Sequence, residues 1–146
     1  MEKPAVLFLC SANSARSVMA EAFFRRAAGD RFEVTSAGLE PRQVHPLTVR
    51  VMREVGIELV GHEPRGVKEY LGRKSFRHVV IVCAKAEAAC PRLWPFALHQ
   101  LFWPFDDPAA PGGNDSDSVS RFRAVRDQIE ARVNAWAEAL DRDAEG

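Results

Sequence analysis

Two residues near the N-terminus, Cys10 and Arg16, have the types and the spacing of a site that binds a tetrahedral oxyanion. A cysteine thiolate is a strong nucleophile, and the planar guanidinium of arginine can bind two oxygens of such an anion. The residues between them are small or polar: Ser11, Ala12, Asn13, Ser14 and Ala15. Because this spacing also occurs by chance, the flanking elements decide its meaning. A structural cysteine with a solvated Arg16 is the alternative.

The segment from Cys10 to Ser17 lies between a predicted strand and a predicted helix. Ala5–Leu9 is short and continuously apolar, which is typical of a strand buried on both faces, and a helix follows at Ser17–Ala28. Backbone N–H groups of such a loop can converge on an anion, and the helix N-terminus adds partial positive charge, so both stabilise a thiolate. We expect Ser17 to donate to the sulfur and cap the helix, and Asn13 to bond the loop's own backbone.

The middle of the chain alternates between further strands and helices. Strands are predicted at Phe32–Ser36 and His78–Val82, and Leu98–Phe105 contains another that Pro104 breaks. A helix that opens at Pro46 ends at Gly56. This alternation predicts an α/β fold, a single-domain three-layer sandwich with a four-stranded parallel sheet.

The C-terminal part has the apolar stripe of an amphipathic helix from Val119 to Leu140, with Asp117 or Ser118 as its cap. We expect one catalytic domain over residues 1–146, with a charged tail that frays from Asp141.

The carboxyl ends of parallel strands meet at one edge of the sheet, where such folds bind ligands. Cys10 follows the first predicted strand, Cys83 the third, and Asp106-Asp107-Pro108 the fourth. Asp107 at this edge can protonate the oxygen that leaves when Cys10 attacks. The alternative is that Asp before Pro forms only a turn.

The two other cysteines, Cys83 and Cys90, stand seven residues apart with helix-forming residues between them. In a helix they would lie about 10.5 Å apart along the axis. A disulfide tolerates Cα separations only up to about 7 Å. A bond between them therefore requires the helix to unwind, and two unreactive cysteines are the alternative.

Composition excludes several classes of function. Lys plus Arg and Asp plus Glu number 20 each, so no net charge favours nucleic acid or acidic membranes. The N-terminal apolar run is too short for a signal peptide or a membrane span, and an odd number of cysteines argues against structural disulfides, so we expect a cytoplasmic protein. We also expect a monomer. Four histidines lack ligand spacing, which predicts no metal site: His45, His62, His78 and His99.

Together these motifs resemble the low-molecular-weight tyrosine phosphatase superfamily over about Val6–Leu140. The shared motifs are Cys-x5-Arg-Ser followed by Met19-Ala20-Glu21, then Ser36-Ala37-Gly38, and late in the chain Asp106-Asp107-Pro108. The resemblance implies that Cys10 is the nucleophile, Arg16 the clamp on the oxyanion and Asp107 the general acid, with residues 11–17 around the anion.

The spacing of Cys83 and Cys90 resembles the thioredoxin-coupled arsenate reductases of this superfamily. That resemblance implies that Cys10 attacks arsenate, that Cys83 attacks the Cys10–arsenic adduct and releases arsenite, and that Cys90 takes over the disulfide. Reduced thioredoxin is then the electron donor, with glutaredoxin or glutathione as the alternative, and no cofactor is tightly bound. A phosphatase acting on phosphomonoesters and a non-catalytic, redox-sensitive oxyanion sensor stay open as other functions.

Departures from the superfamily pattern sharpen these expectations. Val18 stands where tyrosine phosphatases usually have proline, and Ala109-Ala110 offers no aromatic grip, so both favour a small inorganic oxyanion. In contrast, the loop Gly113–Asp117 resembles the phosphatase form, and Ala15 replaces a cysteine of many reductases.

Three residues match positions that hold potassium in some reductases: Asn13, Glu21 and Ser36. In those reductases an acidic residue completes the site, and Arg65 stands at its position here. We therefore expect no potassium, and Arg65 itself is a candidate to replace the cation. Four aromatic residues are expected to pack in or near the core: Trp94, Phe96, Trp103 and Trp136.

Overall fold

The computed structural model describes residues 3–59, 62–70, 73–83, 99–109 and 115–145. The strands in this part of the chain are β1 Ala5–Cys10, β2 Glu33–Gly38, β3 His78–Ile81 and β4 His99–Phe102. The helices are α1 Arg16–Ala28, α2 Pro46–Glu54 and α3 Asp115–Glu145, with a 3-10 helix at Val67–Glu69. All strand pairs are parallel, in the order β2-β1-β3-β4, which confirms the predicted α/β fold.

The central strand β1 is buried along its whole length because both faces of the sheet are covered. Phe8 packs on one face against Phe24 of α1 and Trp136 of α3, at ring distances of 5.7 and 6.3 Å. On the other face lies Thr35, the partner of Leu7 in the β1–β2 register, and it contacts the Tyr70 hydroxyl just after the 3-10 helix. These layers explain why β1 reads as an unbroken apolar run.

Helix α2 is tied to α3 by charged contacts. Glu54 pairs with Arg123 and Arg126 at 2.6 and 2.8 Å, and Arg126 also donates to the Val51 carbonyl. Hydrogen bonds from Arg123 above all lower the pKa of Glu54 to about 2. Gly56, at φ 85°, ends the helix in a left-handed conformation that suits glycine, as its position predicts.

The ends of several elements differ from the sequence predictions, most clearly in helices α1 and α3. Helix α1 begins at Arg16 with no side-chain cap, so the prediction that Ser17 caps it is wrong. Helix α3 begins at Asp115, before the predicted caps Asp117 and Ser118. It runs to Glu145, and Asp141 forms an ion pair with Arg31.

Strand β2 pairs with one edge of β1, and β3 pairs with the opposite edge. The point where strand order reverses therefore lies between the carboxyl ends of β1 and β3. Cys10 is the last residue of β1, and Cys83 follows two positions after β3. No helix in the described parts of the chain is long and apolar enough to cross a membrane.

Candidate active site

The loop after β1 is fixed through its carbonyl oxygens by the segment that follows β2. Backbone N–H groups of this segment donate to four consecutive or near-consecutive carbonyls: Leu39 to Cys10 (3.1 Å), Glu40 to Ser11 (2.8 Å), Arg42 to Ala12 (2.9 Å) and His45 to Ser14 (3.1 Å). In a trans peptide the N–H points opposite to the carbonyl of the same unit. The N–H groups of the loop therefore point away from that segment, and the N–H of Asn13 reaches Cys10 Sγ at 3.1 Å.

Close approach of the two segments depends on Gly38 at the end of β2. A Cβ atom at this position would lie 2.8 Å from backbone atoms of both Ala12 and Asn13. No side chain other than hydrogen fits there without moving the loop. This contact gives a physical reason for the glycine of the Ser36-Ala37-Gly38 motif.

The sulfur of Cys10 is buried and receives donors from the loop. Ser17 Oγ lies 2.8 Å from Cys10 Sγ, in position for the predicted donation, and the Asn13 N–H lies opposite. A sulfur surrounded by donors at the start of a helix is stabilised as a thiolate. This geometry supports attack by Cys10 on an electrophilic centre.

Asn13 occupies the left-handed region at φ 52° and is fully buried. Its amide nitrogen donates to Ser17 Oγ at 2.8 Å and to Ser36 Oγ at 2.9 Å, and its amide oxygen accepts the backbone N–H of Arg65 at 3.1 Å. Asn13 therefore ties the loop to α1, β2 and the Arg65 segment, and the prediction that it bonds the loop's own backbone is wrong. Asparagine tolerates this conformation better than most residues.

The residues that match a potassium site do not suit an ion in this protein. Glu21 accepts from Ser36 at 2.5 Å and pairs with Arg25 at 2.9 Å. The Asn13 amide oxygen accepts the Arg65 N–H, while the Arg65 guanidinium donates to Thr35 and Tyr70. Internal donors thus already serve the oxygens, and two guanidinium groups supply positive charge. The hypothesis that the Arg65 side chain replaces the cation stays a prediction, while Arg25 is the residue that forms the direct ion pair with Glu21.

Arg16 is directed toward the loop that follows β4 and not into solvent. Its side chain is 13% exposed, and one guanidinium nitrogen donates to the Phe105 carbonyl at 3.0 Å. The other terminal nitrogen lies 3.9 Å from Asp107 Oδ2. The alternative of a solvated Arg16 is therefore wrong, and the guanidinium is oriented beside the loop that holds Cys10.

Asp107 fits both interpretations of the sequence, a turn residue and a general acid. Its Oδ1 accepts the N–H of Ala109 at 2.9 Å, so it does form a turn, but its carboxylate also lines the cavity above Cys10. The side chain is 53% exposed, in contrast to Arg16. A half-exposed carboxyl at the rim can exchange its proton with water and reach an anion held by the loop.

The cavity has a volume of about 470 Å³ and a polar lining that the sequence analysis predicts only in part. The residues missed come from the segment after β2: Glu40, Arg42, Gln43 and His45. Of these, only His45 has a local signal, since it precedes Pro46 and accepts the Leu47 N–H on Nδ1 at the start of α2. Its neutral form therefore carries the proton on Nε2, a donor at the cavity wall.

Cys83 is buried beside the end of β1. The Val82 N–H donates to the Leu9 carbonyl at 2.9 Å, so the residues that follow, Cys83 and Cys10, leave neighbouring strands at the same edge. Cys90, Trp94 and Phe96 lie outside the described residues. Trp103 is buried and contacts Trp136 at 5.4 Å, as predicted for core packing. In the described parts of the chain, no cluster of His, Cys, Asp or Glu could hold a metal ion.

A parallel α/β sheet with a buried thiol, a loop of backbone donors and a positioned guanidinium at its edge defines a thiol-based oxyanion site. Residues 5–145 match the model of the low molecular weight phosphotyrosine protein phosphatase family, and the chain belongs to that family. This confirms the resemblance seen in the sequence.

Several proteins similar to this chain bear another activity in their names. An arsenate reductase of Halalkalibacterium halodurans is 38% identical over 138 residues, which are 94% of this chain and 98% of that protein. Arsenate reductase 1 of Staphylococcus epidermidis is 39% identical over 137 residues, again 94% and 98%. A solved structure of an arsenate reductase in the phosphate binding state has a TM-score of 0.77 and 30% identity, covering 93% of this chain and 98% of that one.

Proposed function

We propose that the protein is an arsenate reductase that uses Cys10, Cys83 and Cys90 in turn. The observation that carries this proposal is a second buried cysteine, Cys83, at the end of the strand beside that of Cys10. Hydrolysis of a phosphomonoester needs one nucleophile only, whereas reduction of arsenate needs a thiol that attacks the first adduct. The arsenate reductases among the similar proteins support the same activity.

In the first step the Cys10 thiolate attacks arsenic(V) bound by the loop and by Arg16. A sulfur–arsenic bond forms and one arsenic–oxygen bond breaks, and Asp107 gives its proton to the departing oxygen, which leaves as water. The N–H groups that point away from the Leu39–His45 segment receive the negative charge of the remaining oxygens.

In the second step the Cys83 thiolate attacks Cys10 Sγ. A Cys10–Cys83 disulfide forms, the sulfur–arsenic bond breaks, and its electron pair stays on arsenic, which leaves as arsenite in the +3 state. Cys90 then attacks Cys83, which frees Cys10 as a thiolate and leaves a Cys83–Cys90 disulfide. The two electrons lost by the thiols equal the two gained by arsenic.

A thiol-based reductant must then restore Cys83 and Cys90. We assign this role to reduced thioredoxin, because the second thiol of a dithiol donor resolves the mixed disulfide that the first thiol forms with the protein. Glutaredoxin or glutathione is the alternative. A cytoplasmic location suits this cycle, since that compartment keeps thiols reduced.

The experiment that tests this function is arsenate-dependent oxidation of NADPH with thioredoxin and thioredoxin reductase. We expect sustained turnover by the wild type, and loss of turnover in Cys83→Ser and in Cys90→Ser with oxyanion binding retained. Full turnover in either variant would exclude the three-thiol cycle.

A phosphatase is the second candidate, favoured by the cavity's size relative to a single oxyanion and by the placement of Asp107 at its rim. Among the described residues, however, no Phe, Tyr or Trp lines this cavity, so a ring would find little to stack on. Hydrolysis of an aryl phosphate that depends on Cys10 and Asp107, together with failure to reduce arsenate, would establish this second function.

A further inference from the structure

A buried carboxylate, Glu21, lies at the far end of a hydrogen-bond chain that begins at the Cys10 sulfur. Glu21 is 5% exposed, and no step of the proposed reaction uses it. The chain runs over four contacts: Cys10 Sγ to Ser17 Oγ (2.8 Å), Ser17 Oγ to Asn13 Nδ2 (2.8 Å), Asn13 Nδ2 to Ser36 Oγ (2.9 Å) and Ser36 Oγ to Glu21 Oε1 (2.5 Å).

The direction of the hydrogen bonds is determined at Asn13 and at Ser36. The Asn13 amide oxygen accepts the Arg65 N–H, so the amide nitrogen faces both serines and donates to each. Ser36 already accepts from Asn13 and gives its own hydrogen to Glu21. Ser17 accepts from Asn13 in the same way, and its hydroxyl also shares a hydrogen bond with the Cys10 sulfur. The chain thus links Glu21 to the Cys10 sulfur through the fixed donors of Asn13 and Ser36.

A buried carboxylate needs a positive partner to stay ionised. Arg25, one helical turn after Glu21, supplies it at 2.9 Å. His62 lies 4.0 Å from Glu21, but burial chiefly, together with the positive charges of Arg65 and Arg25, lowers the pKa of His62, although Glu21 acts to raise it. His62 is therefore neutral at pH 7, and the guanidinium of Arg25 carries the charge that faces Glu21.

We propose that the Glu21–Arg25 ion pair takes the place of a bound potassium ion in this protein and positions the Cys10 loop without a metal. Glu21 and Arg25 are thus positioning residues, which act on Cys10 through Ser36, Asn13 and Ser17. The inference rests on the proposed function only in that Cys10 is the reacting thiol.

The test follows alkylation of Cys10 by iodoacetamide at pH 7, measured by mass spectrometry of the peptide that contains Cys10. The reaction is run in potassium chloride and in choline chloride at equal ionic strength, with protection by inorganic phosphate as a measure of oxyanion binding. The variants are Arg25→Ala, Arg25→Lys and, as a matched control, Arg26→Ala. Arg26 lies next in α1 but pairs with Glu130 of α3, away from Glu21.

We expect equal rates in the two salts for the wild type, Arg25→Lys and Arg26→Ala. Arg25→Ala should slow alkylation in choline chloride about threefold to tenfold, because Glu21 without its partner no longer holds Ser36 and Asn13 in place behind the Cys10 loop. Potassium should restore the rate in this variant, since truncation enlarges a cavity of about 220 Å³ that Glu21 and Arg25 line. Normal circular dichroism would show that the variant is folded.

A wild-type rate that rises and saturates with potassium would overturn the proposal, and so would an Arg25→Ala rate equal to that of Arg26→Ala in choline chloride. Neither measurement involves arsenate turnover. The outcome is therefore the same whether the protein reduces arsenate or hydrolyses phosphomonoesters, and it can fail while the proposed function stands.

Discussion

The two sides of the cavity are built differently. On one side the loop of Cys10 is fixed by four backbone contacts to the Leu39–His45 segment and by the buried side chain of Asn13. On the other side Asp107 is half exposed, and its carboxylate has a turn contact with Ala109 and a distant partner in Arg16. Arg16 joins the two sides, because it starts α1 and donates to the Phe105 carbonyl.

This difference separates two tasks of the site. Oxyanion binding and stabilisation of a thiolate require donors that are in place before the substrate arrives, which suits a loop held by backbone contacts and by the buried Asn13. A general acid must exchange its proton with water and allow the departing oxygen to leave, so Asp107 lies at the exposed rim. We expect changes on the loop side to affect affinity and changes on the acid side to affect rate.

The largest effect should come from Asp107→Asn. This substitution removes the transferable proton and should lower kcat by about 100-fold or more. Affinity for phosphate should stay within about twofold, because the loop is untouched. Steady-state kinetics and phosphate binding by calorimetry measure the two quantities, with Asp106→Asn as the matched control. A parallel loss of affinity would show that the two sides are not separate.

Gly38→Ala should lower the affinity for the oxyanion, in contrast to Asp107→Asn, which should lower kcat. Its Cβ would lie 2.8 Å from the backbone of Ala12 and Asn13, so the loop must shift, and phosphate affinity should fall about tenfold. Gly66→Ala is the control, since its nearest neighbour is a Pro41 side-chain atom at 3.5 Å. Equal phosphate affinity in the two variants would contradict a loop fixed by close backbone approach.

A smaller effect is expected on the acid side from Arg121→Gln. Arg121 of α3 reaches the Pro108 carbonyl at 3.5 Å and so supports the segment that bears Asp107. Its loss should reduce kcat about threefold with an unchanged KM. Arg123→Gln, which removes a contact to Glu54 instead, should leave kcat unaltered. A raised KM in Arg121→Gln would assign this residue to binding.

The sequence predicts the loop of Cys10 better than it predicts the surroundings of Asp107 or the hydrogen bonds that join Cys10 to Glu21. A buried strand, small residues and a helix are local features, and they place Cys10 and Arg16 correctly. The helix cap predicted at Ser17 is wrong, because a donor loop built for an anion leaves N–H groups without side-chain caps. The contacts of Asn13 and Glu21 could be suspected only from the family, since they join segments far apart in the chain.

The remaining wall of the cavity could not be predicted from the sequence, because long-range contacts create it. Glu40, Arg42 and Gln43 form no motif of their own, and only pairing of their segment with the loop brings them to Cys10. Arg25 likewise reads as an ordinary exposed helical arginine until its partner Glu21 is seen to be buried.

The smallest effect is expected at the opposite end of the sheet, and it concerns stability. Burial chiefly, and the nearby His99 and Arg77, lower the pKa of His78 from 6.5 to about 4. Because the unfolded chain binds this proton more readily, stability is full above pH 6.5 and is lost as pH falls toward 4. The melting temperature should drop by a few degrees from pH 7 to pH 5, and less in His78→Phe. Equal drops in both proteins would exclude His78 as the cause.

The central claim, that Cys10 and Cys83 belong to one thiol relay, is tested most directly by trapping its first disulfide. Reduced Cys90→Ser protein is mixed with one equivalent of arsenate, quenched in acid and mapped by mass spectrometry. Our account predicts a Cys10–Cys83 disulfide and one equivalent of arsenite. Arsenite release without that disulfide, or a free Cys83 after full reaction, would contradict it.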